Sequence, residues 1–325
     1  MLNSILNPAS TALLVLGLVG FVQADIQRGL TTDFSNWLNQ NGYGTYKFER
    51  TDLDGGAYGG KSSSDEKITH NPVIFFHGNS DIAVGTSSWT WQHGFTQSIE
   101  YFLSQGYTKA ELYITTWGPG NELMSSQNYH SQEYLTFLRK FTEAVLAYTN
   151  ATKINIVGHS MGVTLGRRVI KGGDVKATFF PYNLGPSLAD KVDTFIGIAG
   201  ANLGLVSCQY VGSMLPTCNS MNGFYPGSAA NSGLSTFLQE LNDDKTKEGD
   251  HVFAMFSTQD DLIMYGDLVF GQFTSLWPTV DDSHKFETSQ YTHINMRDLT
   301  KDLQYQLITQ HSFSTAEKPS ETFLQ

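Results

Sequence analysis

Residues 153–162 read Lys-Ile-Asn-Ile-Val-Gly-His-Ser-Met-Gly, and no other stretch limits the fold as tightly. The apolar, β-branched run Ile154, Ile156, Val157 reads as a short buried strand. It ends in Gly158-His159-Ser160-Met161-Gly162, a G-x-S-x-G pattern. Val163 to Ile170 then reads as a helix with Leu165, Val169 and Ile170 on its apolar side. Strand, sharp turn and helix in that order form a nucleophile elbow, a turn that lifts its serine out of the hydrogen-bond ladder. Gly158 and Gly162 carry no Cβ, so strand and helix can approach closely. Ser160 is the candidate nucleophile. Met161 opens the helix, so its backbone N–H has no intrahelical partner and can bind a developing oxyanion. An ordinary serine on a Gly-flanked turn is the bland alternative.

The 325 residues, 40% of them hydrophobic, suffice for one large α/β domain. Only 16% are charged and the net charge is −11, which argues against a nucleic-acid partner and for an uncharged substrate. Thr11 to Val22 is an apolar run followed by Val22-Gln23-Ala24, with small residues at the −3 and −1 positions of a cleavage site. Residues 1–24 therefore read as a secretory signal peptide, although its leading segment lacks Lys and Arg. The run falls short of the roughly 20 residues of a membrane span. The expectation is a soluble, secreted protein with no transmembrane segment. Cys208 and Cys218 fit that compartment as a disulfide within a Gly/Asn/Ser-rich segment. Asn150-Ala151-Thr152 is a glycosylation sequon, placing a candidate glycan on Asn150.

The remaining chain alternates strands and helices, as parallel βαβ units do. Thr31-Thr32-Asp33 caps a helix bearing Phe34, Trp37 and Leu38, and Tyr46 to Glu49 alternates like an edge strand. Asp54 to Glu66 reads as a loop. Val73 to Phe76 is an apolar strand running into His77-Gly78-Asn79. Further strands are expected at 111–117, 194–200, 251–256 and 284–287, with helices at 95–103, around Tyr134 to Val145, and at 299–307. Trp89, Trp91 and Phe95 are candidates for an acyl-pocket wall or for core packing. Residues 201–233 read as a long loop-like insertion. The whole of 25–325 is expected to be one domain, with an N-terminal extension at 25–70.

A serine hydroxyl needs a neighbouring base, and that base needs a third group to orient it. In an elbow fold the chain order is Ser, then Asp or Glu, then His, each at the carboxyl edge of the sheet. Here the order is Ser160, then Asp260 or Asp261 after a buried strand, then His293 after the last strand. The two aspartates compete, and strand phase favours Asp260. The second oxyanion amide in such folds follows the first apolar strand, which places it on Asn79, while His77 reads as a structural hydrogen-bonding group. Activity is expected to rise with pH as His293 loses its proton.

These pieces together carry a resemblance. Asn71 to Asn79, Ser104-Gln105-Gly106-Tyr107, Ile156 to Gly162, Gly200-Ala201-Asn202, Ser257-Thr258-Gln259-Asp260 and Thr292 to Asp298 resemble, in order, the class 2 (minimal) lipases of bacteria, and closer still their secreted nematode members. The resemblance implies an α/β-hydrolase fold, with a mostly parallel sheet covered by helices on both faces. It implies nucleophile Ser160, acid Asp260, base His293 and oxyanion amides Asn79 and Met161. The implied activity is hydrolysis of carboxylic esters of lipids, acylglycerols foremost, through an acyl-enzyme, with transient contact to a lipid interface and with no cofactor or metal. A phospholipase, acyltransferase or short-chain esterase would share this machinery, and a non-catalytic binding protein would share the fold. The N-terminal extension and the 201–233 insertion depart from the compact bacterial pattern. The insertion is expected to form either a disulfide-pinned cap over the acyl pocket or a simple hairpin on its rim.

Overall fold

A computed structural model describes residues 26–85, 91–177, 180–229 and 233–313. The signal-peptide reading of 1–24 and the placement of Trp89 lie outside these residues. Eight strands among them form one sheet: β1 (Gly29–Leu30), β2 (Ala57–Gly59), β3 (Val73–Phe76), β4 (Leu112–Thr115), β5 (Ile154–His159), β6 (Val192–Ile198), β7 (His251–Ser257) and β8 (Asp282–Phe286). Their order is β1-β2-β4-β3-β5-β6-β7-β8. Every neighbouring pair is parallel except β2 against β4. This is the α/β-hydrolase arrangement. Parallel neighbours need crossovers, and the crossovers cover the sheet with helices.

Side chains alternate across the pleat, so each central strand feeds two cores. Ile74, Phe76, Ile156, Phe195 and Val252 join one cluster with α1 (Thr32–Gln40), α3 (Gln132–Thr149), α4 (Met161–Lys171) and α6 (Thr236–Asp243). Phe75, Val157, Ile196, Phe253 and Met255 join the other with α2 (Thr96–Ser104), α7 (His293–Leu299) and α8 (Lys301–Gln310). Burying each such side chain contributes about 1.5–3 kcal/mol, which fixes the strand register and with it the loop positions.

The N-terminal region corrects two expectations. Tyr46 to Glu49 is not a strand: a 3-10 turn covers Gly44–Tyr46, and Lys47 and Arg50 take positive φ of 58° and 49°. Phe48 is buried there against Phe137 and Phe141, so apolar alternation served packing rather than pairing. The strand that joins this region to β4 is instead β2, inside the stretch read as a loop, and β1 forms the edge beside it. At Gly59, φ is 131° and a Cβ would lie 2.7 Å from Leu112 O, so glycine is required where β2 meets β4. Two further corrections concern helices. The insertion is not plain loop: it holds α5 (Val206–Val211) and 3-10 turns at Gly212–Met214 and Pro216–Cys218. The closing helix is two helices, α7 and α8, broken at Thr300.

Candidate active site

Ser160 sits between β5 and α4 with φ 55° and ψ −126°, a conformation that non-glycine residues avoid and that surrounding structure must enforce. Its N–H donates to Ile198 O at 2.8 Å, tying the turn to β6. A Cβ on Gly162 would lie 2.1 Å from Phe76 O and 2.6 Å from His77 O, so the helix can cross β3 here only with glycine. Met161 is the first residue of α4.

His293 opens α7 and is held at three points. Its Nδ1–H donates to Asp260 Oδ2 at 2.6 Å, its backbone N–H donates to Asp261 Oδ1 at 2.9 Å, and its carbonyl accepts from His159 Nε2–H at 2.9 Å. Both aspartates after β7 are thus engaged, one on the ring and one on the backbone. Asp260 Oδ1 accepts from the Leu262 and Ile263 N–H groups at 2.9 and 2.7 Å. Burial pushes the Asp260 carboxyl upward, but the His293 charge and these hydrogen bonds hold it below its ordinary value, so it is an anion. With Nδ1 committed to Asp260, the Nε2 of His293 is left for the cavity that Ser160 also lines. Burial, then the neighbouring His293 charge, drives His159 well below its ordinary value, so it stays neutral with its proton on Nε2.

His77 is buried with Nδ1–H donating to Gly78 O at 2.8 Å and Nε2 accepting from Trp117 N–H at 3.1 Å. Burial pulls it down to about 3, so it is a neutral structural group. The side chain of Asn79 is fully engaged: Nδ2–H donates to Ser125 O at 2.9 Å, and Oδ1 accepts from Asn128 Nδ2–H at 2.7 Å. The main chain of Asn79 is what remains for the cavity, which it lines with Gly78 and Ser160.

Sequence reasoning did not single out the group that ties this loop to α7. Arg297 is fully buried and binds Asp81, Asp298 and His93, the Asp298 contact at 2.7 Å and the His93 contact at 2.9 Å. Asp81 Oδ1 also accepts from Ile82 N–H at 2.8 Å. One cation thereby fixes the Asn79 loop against the helix bearing His293. The available signal was Arg297-Asp298, adjacent charges one helical turn after His293.

The cavity holds about 580 Å³ and is walled by 78–81, Trp91, His93, Glu122, Ser125, His159, Ser160, Asp261, Leu262 and 292–295. No described residue of the 201–233 insertion is among the walls. Its Pro216–Cys218 turn packs instead on the rim turn Glu122–Gln127. Cys208 and Cys218 are joined as a disulfide. Asn150 is exposed at the end of α3 with φ 51°. Large apolar side chains stand exposed: Leu123 (84%) on the rim turn, Leu262 (58%) on the cavity wall, and Met214 (79%) and Tyr210 (76%) on the insertion.

A sequence profile of the class 2 lipases matches residues 70–306. Among solved structures, Aspergillus fumigatus lipase B is similar at 15% identity and TM-score 0.48, over 78% of this chain and 55% of its own. Thus this chain spans little more than half of that lipase. The mature form of Bacillus licheniformis lipase BlEst2 is similar at 12% identity and TM-score 0.46, over 75% of this chain and 94% of its own. Mouse alpha/beta hydrolase domain-containing protein 10 is similar at 16% identity and TM-score 0.43, over 76% and 92%.

Proposed function

Given that this chain belongs to the class 2 lipase family, and with it to the carboxylic ester hydrolases, we propose that it cleaves lipid esters, acylglycerols foremost, through an acyl-enzyme on Ser160. The observation carrying this reading is the engagement of His293: Asp260 holds its ring, Asp261 and His159 hold its backbone, and Ser160 lines the same cavity. In the proposed reaction His293 Nε2 takes the Ser160 proton as Oγ attacks the ester carbonyl. The Asn79 and Met161 amides bind the oxyanion, each contributing about 2.7–4 kcal/mol of transition-state stabilisation. His293 returns the proton to the leaving alcohol, and water activated by the same nitrogen releases the acid.

Lipid rather than small-ester specificity is supported by the exposed apolar side chains Leu262 on the cavity wall, Leu123 on the Glu122–Gln127 turn, and Tyr210 and Met214 on the insertion that packs on that turn, which suit contact with a lipid surface. Secretion, processing after residue 24, a glycan on Asn150 and a place among the nematode-type members belong to the same proposal. The disulfide supports export. Among the described residues no helix is long and apolar enough to cross a membrane.

The test has two arms. A fluorophosphonate probe should label Ser160 and fail on Ser160→Ala. Rates on p-nitrophenyl esters and emulsified triacylglycerols of graded chain length should extend to long acyl chains. Labelling without turnover of any ester would leave a binding protein. Turnover confined to short soluble esters would move the reading to an esterase, and turnover confined to phospholipids to a phospholipase.

A further inference from the structure

At the opposite end of β6 and β7 from the active site, three side chains from distant chain segments converge. Asp193 is the second residue of β6, His251 the first of β7, and His311 the residue that ends α8. One ligand atom from each lies within 4.8 Å of the others. The seven residues of β7 separate this cluster from the Asp260 turn by roughly 20 Å, so it is no part of the ester-cleaving machinery.

Two features of the cluster go beyond proximity, and one sets a condition. The imidazoles of His251 and His311 stack with centroids 3.9 Å apart at 11°, so one ring must turn before both nitrogens can share an ion. His311 Nε2 is buried and makes no hydrogen bond, and it lies 3.6 Å from Asp193 Oδ2. That separation is too long for a hydrogen bond. It is near the roughly 3.3 Å that two ligands keep when each sits about 2.0–2.1 Å from one tetrahedral ion. Finally, Asp193 is aimed by its surroundings. Ile154 pairs with Val192 and Ile156 with Phe195, so β6 carries one extra residue there, a bulge that redirects side chains. Asn71 Nδ2–H donates to Asp193 Oδ2 at 3.3 Å, the outer hydrogen bond that fixes a ligating carboxylate.

We propose that Asp193, His251 and His311 bind a divalent transition-metal ion of the Zn²⁺ class, which pins the end of α8 to the amino-terminal edge of the sheet. Two neutral imidazoles and one carboxylate match the borderline-soft preference of Zn²⁺ and leave a fourth position for water. An ion bound there joins β6, β7 and the chain's last described helix, so it acts on stability and not on turnover.

The test is calorimetric titration of ZnCl₂ into the full chain after EDTA treatment and dialysis, at pH 7.5. The expected result is one equivalent bound with Kd of about 1 μM, and a Tm rise of about 2–4 °C in 100 μM Zn²⁺. Asp193→Asn and His251→Ala should weaken binding at least about 10-fold with ester hydrolysis unchanged. His311→Asn should do the same while keeping a residue that tolerates the left-handed backbone (φ 53°) at that helix end, so a folded variant is assured a reading. Absence of stoichiometric binding, or binding unchanged in His311→Asn, overturns the site. So does binding lost in His293→Ala and retained in the Asp193 and His251 variants, since the ion would then sit on the active-site imidazole.

Discussion

The carboxyl edge of the sheet and the 201–233 insertion lie beside each other and are held by different physics. At the edge almost every polar atom is committed: Asp260 accepts three hydrogen bonds, His293 is gripped at ring, N–H and carbonyl, and Arg297 is buried among Asp81, Asp298 and His93. The insertion contains no Asp, Glu, Lys, Arg or His. It is kept in place by one disulfide, by backbone turns, and by side chains outside it: Arg167 Nη1–H donates to Asn202 Oδ1 at 2.8 Å, Leu203 N–H donates to Thr274 Oγ1 at 2.9 Å, and His130 grips Asn222. His130 Nδ1–H donates to Asn222 O at 2.9 Å, and its Nε2 lies 2.7 Å from Thr164 Oγ1 on α4. Burial holds that imidazole neutral, down to about 3, so Thr164 is the donor to Nε2. The edge is thus fixed by buried charges of its own, whereas the insertion carries none and borrows its polar partners from the body of the fold.

The sharpest break of this comparison is Ser160→Ala, expected to lower kcat about 10⁴-fold or more on a soluble ester with the melting temperature unchanged; residual activity above a tenth would remove the edge from catalysis. Asp260→Asn comes next, with kcat falling about 10³–10⁴-fold, against less than about 10-fold for Asp261→Asn, because only Asp260 sets the ring tautomer. Equal losses in the two variants would mean that holding the backbone of His293 matters as much as holding its ring. Removing the Arg297 side chain as Arg297→Met should cost about 3–5 kcal/mol in urea unfolding, since Asp81 and Asp298 are left buried without their cation.

Asp267 makes the edge pH-sensitive where the insertion is not. Burial first, then the Asp260 charge, pushes its carboxyl up to about 7 despite the hydrogen bonds from Ser275. A raised carboxyl is favoured protonated in the fold, so its stabilising contribution is full below the unfolded value and is lost as pH rises towards and through 7. Stability should therefore decline between pH 5 and 8 on the order of 3 kcal/mol; Asp267→Asn should flatten that decline, and a slope unchanged in the variant would exclude the group. The smallest effect belongs to the insertion. Cys208→Ser with Cys218→Ser should cost about 2–3 kcal/mol of stability and change kcat on a soluble ester less than about threefold. A larger catalytic loss would show that the insertion reaches the cavity after all.

Much of the fold was legible because its signals are local. Val73 to Phe76 and His251 to Ser257 are apolar runs that only a buried strand accommodates, and both fall within a residue or so of expectation. The N-terminal region misled because Ala57–Gly59 is three residues long and rich in glycine, while the alternation of Tyr46 to Glu49 belonged to a packed turn. The insertion's turns escaped because their helices are too short to show a period.

What the sequence determined by itself was the elbow, the order in which serine, acid and histidine reach the sheet edge, and the paired cysteines, each of which depends on residues close in the chain or on the direction of parallel strands. Only the tertiary structure decided which aspartate meets the imidazole, that His159 holds the His293 carbonyl, and that Arg297 pairs with Asp81 across 216 positions. The reason is physical: periodicity records what one segment buries, but the partner of a polar group depends on how separate loops converge, and that convergence is set by packing that no single segment contains.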